Sequence, residues 1–290
     1  MNNARPRLGV ALSGGGVRGL AHLGVLKALE EEGIAVDLIA GTSMGGAVAA
    51  LYAAGVPLER LIEETTRTRL LDVAALDKSW HGLFGHKKVA RFLNNLLDDP
   101  TLTFEQLDIP AAVMAVDLET GELVTLDKGP VIPAVMATTA LPLLFAPVRH
   151  RGRWLIDGGA LNNLPVDVVR HMGAERVLAV NVPPSIKMDM PPFDMEGSLV
   201  ERGRLPLPPH IRTWRTPFLI AEISLGFALQ ELNRARLQAY PPDALLQVEL
   251  PNVGILATDR SEEAVRAGYE AARQHMDELL ALQEPLAMPA

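Results

Sequence analysis

The sequence predicts an α/β fold of three layers (α/β/α), with helices on both faces of a mostly parallel central sheet. Two observations lead there: apolar runs of strand length alternate with helical segments, and two glycine-rich turns each fall between such a run and a helix. A third is composition, since 290 residues at 48% hydrophobic and 21% charged form a globular chain with a sizeable core, not a disordered or fibrous one.

In chain order, Leu8 to Leu12 (LGVAL) is a buried strand that closes on Ser13 and three glycines. A helix follows from Val17 to Glu32, apolar at Leu20, Leu23, Leu26 and Ala28, acidic at Glu30 to Glu32 and capped by Gly33. Val36 to Ala40 is the second strand, and Gly41-Thr42-Ser43-Met44-Gly45-Gly46 turns sharply into an Ala-rich helix reaching Ala54. Later strands are expected at Ala111 to Val116, Leu123 to Leu126, Trp154 to Ile156, Val177 to Val182 and Leu245 to Leu250. Helices are expected at Lys88 to Leu97, Pro165 to His171, Phe218 to Gln238 and Glu262 to Leu282. Pro183 to Pro217 holds eight prolines and several Met residues without periodicity and reads as a long loop, a candidate lid. The domain reading is therefore a core over 1–182, this loop over 183–217, and helices with a last strand over 218–290 that complete the same domain.

Charge and composition exclude several functions. Twenty-seven Lys and Arg against 35 Asp and Glu give a net charge of −8, which repels polyphosphates and argues against nucleic-acid binding. With no Cys, the chain has no disulfide, no Cys-ligated metal and no thiolate nucleophile. Leu38 to Leu58 and Gly129 to Val148 are uncharged and of spanning length, but their glycines and prolines mark them as buried soluble core. Leu8 to Leu12 is too short for the apolar segment of a signal peptide. The expectation is a cytoplasmic protein, at most peripheral at a membrane, with no transmembrane helix.

Three motifs carry chemistry. Gly14-Gly15-Gly16-Val17-Arg18-Gly19 satisfies G-x-G-x-x-G between a strand and a helix. A dinucleotide site needs an acid at the end of the second strand, and Asp37 lies at the wrong end of it. What remains is a row of backbone N–H groups able to stabilise an anion, including a transient oxyanion. Gly41-x-Ser43-x-Gly45 is G-x-S-x-G in the strand-to-helix setting that exposes a serine hydroxyl, although a plain Gly/Ser turn has the same composition. Asp157-Gly158-Gly159 puts a carboxylate at a strand end, where an ordinary turn is the alternative. His22 on the first helix reads as a hydrogen-bonded core residue, and no histidine has metal-ligand spacing, so neither metal nor cofactor is assigned.

Together, in order and spacing, these elements resemble the patatin-like phospholipase family, most closely its small bacterial members. The likeness extends over Ser13 to Leu29 (SGGGVRGLAHLGVLKAL), Ala137 to Pro147 (ATTALPLLFAP) and Asp157 to Pro165 (DGGALNNLP), and fades beyond Pro183. The resemblance implies Ser43 as nucleophile and Asp157 as general base, a dyad without histidine. It implies N–H groups of Gly15 and Gly16, with Gly14, as the oxyanion hole, and Arg18 and Gly19 in the same motif. Arg18 has three readings: support for the loop, contact with a lipid phosphate, or a first-turn surface or structural arginine. The implied substrate is an acyl ester of phospholipid, lysophospholipid or neutral lipid, with transient membrane-surface contact through the 183–217 loop, where Phe193 and Trp214 lie. Two alternatives stay open: an α/β-hydrolase esterase with a catalytic His171, His210 or His275, and a non-catalytic protein that binds an acyl or phosphate group.

Overall fold

A computed structural model describes residues 5–68, 75–76, 84–183, 215–251 and 253–285. In chain order these form β1 (Leu8–Leu12), a 3-10 turn (Gly16–Leu20), α1 (Ala21–Glu31), β2 (Leu38–Thr42), α2 (Met44–Ala53) and α3 (Leu58–Arg67). A short antiparallel pair, β3 (Ala75–Leu76) and β4 (Phe84–Gly85), precedes α4 (Lys87–Leu96), β5 (Ala111–Asp117), β6 (Leu123–Leu126) and α5 (Val131–Thr138). Then come β7 (Val148–His150), β8 (Arg153–Asp157), α6 (Val166–His171), β9 (Arg176–Asn181), α7 (Arg215–Ala239), β10 (Ala244–Gln247), α8 (Ser261–Gln274) and α9 (Met276–Ala281).

The main sheet runs β10-β9-β1-β2-β5-β8-β7, with β6 also paired to β5. The five strands from β10 to β5 are parallel, and β6, β7 and β8 add antiparallel pairs. Alternation of side chains divides the core. Leu8, Val10, Leu12, Ile39, Val113, Leu178 and Val180 face the larger helical layer, which includes α1, α2, α5 and α8. The other face carries Ala179, Ala11, Ala40 and Ala112 in register across β9, β1, β2 and β5. Those small side chains let α6 sit close: a Cβ on Gly9 would come within 2.1 Å of Val169. The result is the expected three-layer α/β/α arrangement.

On the larger face, α1 and α8 pack with their backbones in near contact. A Cβ on Gly24 would meet the Val265 carbonyl oxygen, and one on Gly268 would meet that of Ala21, each at 1.9 Å. Only glycine fits at such a crossing.

Several boundaries differ from the sequence reading. The helix expected from Val17 starts as a 3-10 turn because Val17 N–H donates to Ile255 O at 2.9 Å. β2 starts at Leu38, two residues late, because the Asp37 carboxylate is engaged by Arg5 and by Leu8 N–H. β10 ends at Gln247, opposite Asn181, where its partner strand ends. The helix expected over Glu262 to Leu282 is two helices, since His275 (φ −108°, ψ 18°) leaves helical geometry. α3, α5, β7 and the short pair β3 and β4 are elements that the sequence reading does not anticipate. Of the loop expected at 183–217, residues 184–214, including Phe193, His210 and Trp214, lie outside the described residues, as does His81.

Candidate active site

Strand register brings Ser43 and Asp157 together. β5 has two edges: Val113 and Met114 pair with both β2 and β6, and Ala115 and Val116 with both β6 and β8. β2 and β8 therefore share one edge and meet end to end. Thr42 lies opposite Met114 and Asp157 opposite the next residue, Ala115, so the C-terminal ends of two opposed strands converge.

Ser43 stands between β2 and α2 with φ 55° and ψ −126°, left-handed backbone that a serine adopts only under constraint. The constraint is visible on both sides. A Cβ on Gly41 would fall 2.3 Å from Gly45 O, and one on Gly45 would fall 2.4 Å from Ser13 O, so neither flanking glycine can be replaced without opening the turn. Ser43 N–H donates to the Thr138 hydroxyl at 2.9 Å, which fixes the turn from α5.

The Asp157 carboxyl is buried, 4% exposed, and its Oδ1 accepts the Gly159 N–H at 2.8 Å. Burial pushes its pKa up to about 6, against the opposing pull of hydrogen bonding from the Ser43 side chain and from Gly159 N–H. Gly158 seats against the backbone of Met114, where a Cβ would come within 2.4 Å of the carbonyl oxygen. Gly158 thus serves close backbone approach, whereas a Cβ on Gly159 would meet side chains, Asn163 Oδ1 at 3.0 Å and Asp157 Oδ1 at 3.1 Å.

The glycine loop lies across the same site. Ser13 anchors it: its N–H donates to Val180 O at 3.0 Å, its hydroxyl accepts Val182 N–H at 2.9 Å, and its carbonyl accepts His22 Nε2–H at 2.7 Å. His22 is fully buried, and burial lowers its pKa to about 4, so it is neutral and a donor at physiological pH. Gly14 N–H is taken by Asn163 O at 3.1 Å, and Val17 N–H by Ile255 O. Between them, the N–H groups of Gly15 and Gly16 have no acceptor among the described residues. Gly14, expected as a third donor, is instead structural. Gly16 adopts φ +58° and lies against Ile255, and Gly19 packs on Met44. Arg18 is buried at 6% exposure and donates to Val253 O at 3.3 Å, tying the loop to the segment before α8. Of the readings of Arg18, burial sets aside the surface one, and the contact with Val253 agrees with a structural arginine.

Ser43, Asp157 and Gly14 to Gly16 all open onto one cavity of about 380 Å3 whose other walls are mainly aliphatic and aromatic. No histidine is among its lining residues in the described chain. His171 and His275 turn their ring nitrogens to the Asp167 and Ala271 carbonyls of their own helices. Thr138, Asn163, Val253 and Ile255 are the parts that sequence reasoning missed. Thr138 and Asn163 lie within segments that the motifs mark, whereas Val253 and Ile255 act through carbonyl groups that leave no sequence signature.

A layered α/β protein that opens a largely apolar cavity at the ends of its central strands has a ligand-binding or catalytic architecture. Residues 10–170 match the model of the family described as patatin-like phospholipase, more than half the chain, and the chain belongs to that family. An uncharacterised NTE family protein of Mycobacterium bovis is 35% identical over 185 residues, covering 62% of this chain and 50% of that protein. Patatin-like phospholipase domain-containing protein 6 of Homo sapiens is 33% identical over 183 residues, 60% of this chain and 13% of that protein. The type III effector ExoU shares the fold, with a TM-score of 0.50 at 15% identity over 97% of this chain and 54% of that one. The chain thus spans about half the mycobacterial relative and a small part of the human one. Among the described residues no helix is long and apolar enough to cross a membrane.

Proposed function

We propose that the protein hydrolyses carboxylic esters of lipids, of phospholipase A or lysophospholipase type, through an acyl-enzyme on Ser43. The observation that carries this reading is a serine on a strained turn, facing a buried carboxyl, beside two N–H groups without acceptors among the described residues, in a largely apolar cavity. Ser43 Oγ attacks the ester carbonyl carbon while Asp157 accepts its proton, and the carbonyl oxygen becomes an oxyanion held by Gly15 and Gly16 N–H. Each such donor contributes about 3 kcal/mol when charge develops on the oxygen. The C–O bond to the leaving alcohol then breaks, and Asp157 returns the proton to that oxygen. Water attacks the acyl-Ser43 carbonyl, gives its proton to Asp157, and Ser43 departs as the hydroxyl with that proton, releasing the fatty acid. His22, neutral behind Ser13, is a positioning residue for the loop.

A pKa of about 6 leaves the base largely ionised at pH 7 while keeping its conjugate acid strong enough to protonate the leaving group. Substrates held in a bilayer require transient contact at the cavity mouth, where Leu143 stands 67% exposed.

The test is fluorophosphonate labelling with intact mass, wild type against Ser43→Ala, alongside turnover of a phospholipid and a lysophospholipid. One adduct and turnover that are both lost in Ser43→Ala, with Asp157→Asn also inactive, support the dyad. A folded wild type that takes no adduct and turns over neither lipid would leave a binding protein as the better reading.

A further inference from the structure

The cavity reaches well past the two motifs, and its far part is not used by the chemistry above. From Ser43 its floor continues along one face of α2 through Met44, Ala47, Val48 and Leu51, the spacing of a single helical stripe. α3 leaves the C-terminal end of α2 after the turn at Gly55 and crosses at the end remote from Ser43, where Leu61, 1% exposed, joins Leu51 in the lining. The lining thus runs from Ser43 along α2 to these two leucines.

Its walls offer no hydroxyl proton to a polar ligand at the α3 and α5 sides. The Thr65, Thr68 and Thr139 hydroxyls, all in the lining, donate to Leu61, Glu64 and Val135 carbonyls of their own helices at 2.6, 2.6 and 2.8 Å. Such a chamber accepts hydrocarbon.

Its size can be taken in two ways. The eight residues from Ser43 to Leu51 advance about 12 Å along the helix. An extended alkyl chain advances about 1.25 Å per carbon, given C–C bonds of about 1.5 Å, so that length holds about ten carbons. The whole cavity, catalytic end and mouth included, is about 380 Å3, room for at most about 13 methylene groups if each takes about the 30 Å3 of a liquid water.

Resting on the hydrolase reading above, we infer that the acyl chain of the substrate lies along α2 with its methyl end against Leu51 and Leu61, and that these two residues set the preferred length at about 10 to 14 carbons. The alcohol or headgroup portion then stays at the mouth, on the Leu143 side.

The experiment is kcat/KM for p-nitrophenyl esters from butyrate to palmitate, dispersed at fixed mole fraction in mixed micelles, with fluorophosphonate labelling run on each protein. In the wild type kcat/KM rises with chain length, at most about fourfold per methylene, and levels off near ten to fourteen carbons. Leu51→Phe moves the break to shorter chains, and Leu61→Ala moves it about three carbons longer, matching the side-chain carbons removed. Two variants with opposite shifts guard against a packing defect in either. A profile without a break, or a break that stays put in both labelled variants, overturns the inference and leaves the hydrolase reading intact. Absence of turnover and of labelling across the whole series in the wild type overturns the hydrolase reading itself, and the inference with it.

Discussion

Replacing Asp157 by Asn is expected to abolish turnover and, above pH 6, to make the protein more stable. The carboxyl titrates near 6 in the folded protein and near 3.8 when unfolded, so between those values folding binds a proton. The stability that this proton brings is complete below pH 3.8 and is lost as pH rises through 6, about 3 kcal/mol in all at about 1.4 kcal/mol per pKa unit. His22 acts in the opposite sense. Its imidazole is lowered from 6.5 to about 4, so stability present above pH 6.5 is lost as pH falls through 4, about 3 to 4 kcal/mol. In the wild type the two windows nearly coincide and the effects offset. The carboxamide introduced by Asp157→Asn would keep the shape, accept Gly159 N–H and hydrogen-bond to Ser43, but it has no charge to bury. Urea unfolding followed by far-UV circular dichroism at pH 4, 5, 6 and 7.5 reads the difference, in which His22 cancels. The variant should match wild type near pH 4 and exceed it by about 3 kcal/mol at pH 7.5. A difference that does not vary with pH, or a wild type that is the more stable at pH 7.5, would refute the reasoning.

Four further outcomes are expected. kcat/KM should fall about tenfold per pH unit below about 6 as Asp157 protonates, and His22→Gln should keep that limb at the same pH; its disappearance would make histidine the base. Thr138→Val leaves Ser43 N–H without its acceptor and should cost about 1–3 kcal/mol in urea unfolding together with a loss of kcat, while Thr138→Ser restores both. Gly268→Ala drives a methyl into Ala21 O and should destabilise by about 1–3 kcal/mol in thermal melts. Gly121→Ala, with open space around it, should cost only about 1 kcal/mol for its positive φ.

The parts of the fold legible in the sequence are those where the backbone itself is constrained. Gly41, Gly45 and Gly158 are glycines because backbone passes where a side chain would be, so they mark the turns as plainly as the strands between them. α5 is opaque for the opposite reason: it is apolar all round, so no periodicity distinguishes it, and Pro133 within its first turn looks like a breaker although its missing N–H has no helical partner there. α3 does carry a signal, Leu58, Leu61 and Ile62 after Pro57, at helical spacing. Thr138 reads as one more residue in an uncharged stretch. The fate of Gly14 N–H depends on the carbonyl of Asn163, 149 positions away, and no local pattern encodes it.

The contacts of Val17 with Ile255 and of Arg18 with Val253 reach outside the segment shared with the family, which ends at residue 170. Recognisable homology and mechanical completeness therefore have different borders in this chain. A chimera that kept the shared segment and took its C-terminal portion from a distant relative would inherit every motif residue, yet it would need a new brace behind the glycine loop. Differences in turnover among relatives with identical motifs can thus originate in sequence that no motif search inspects.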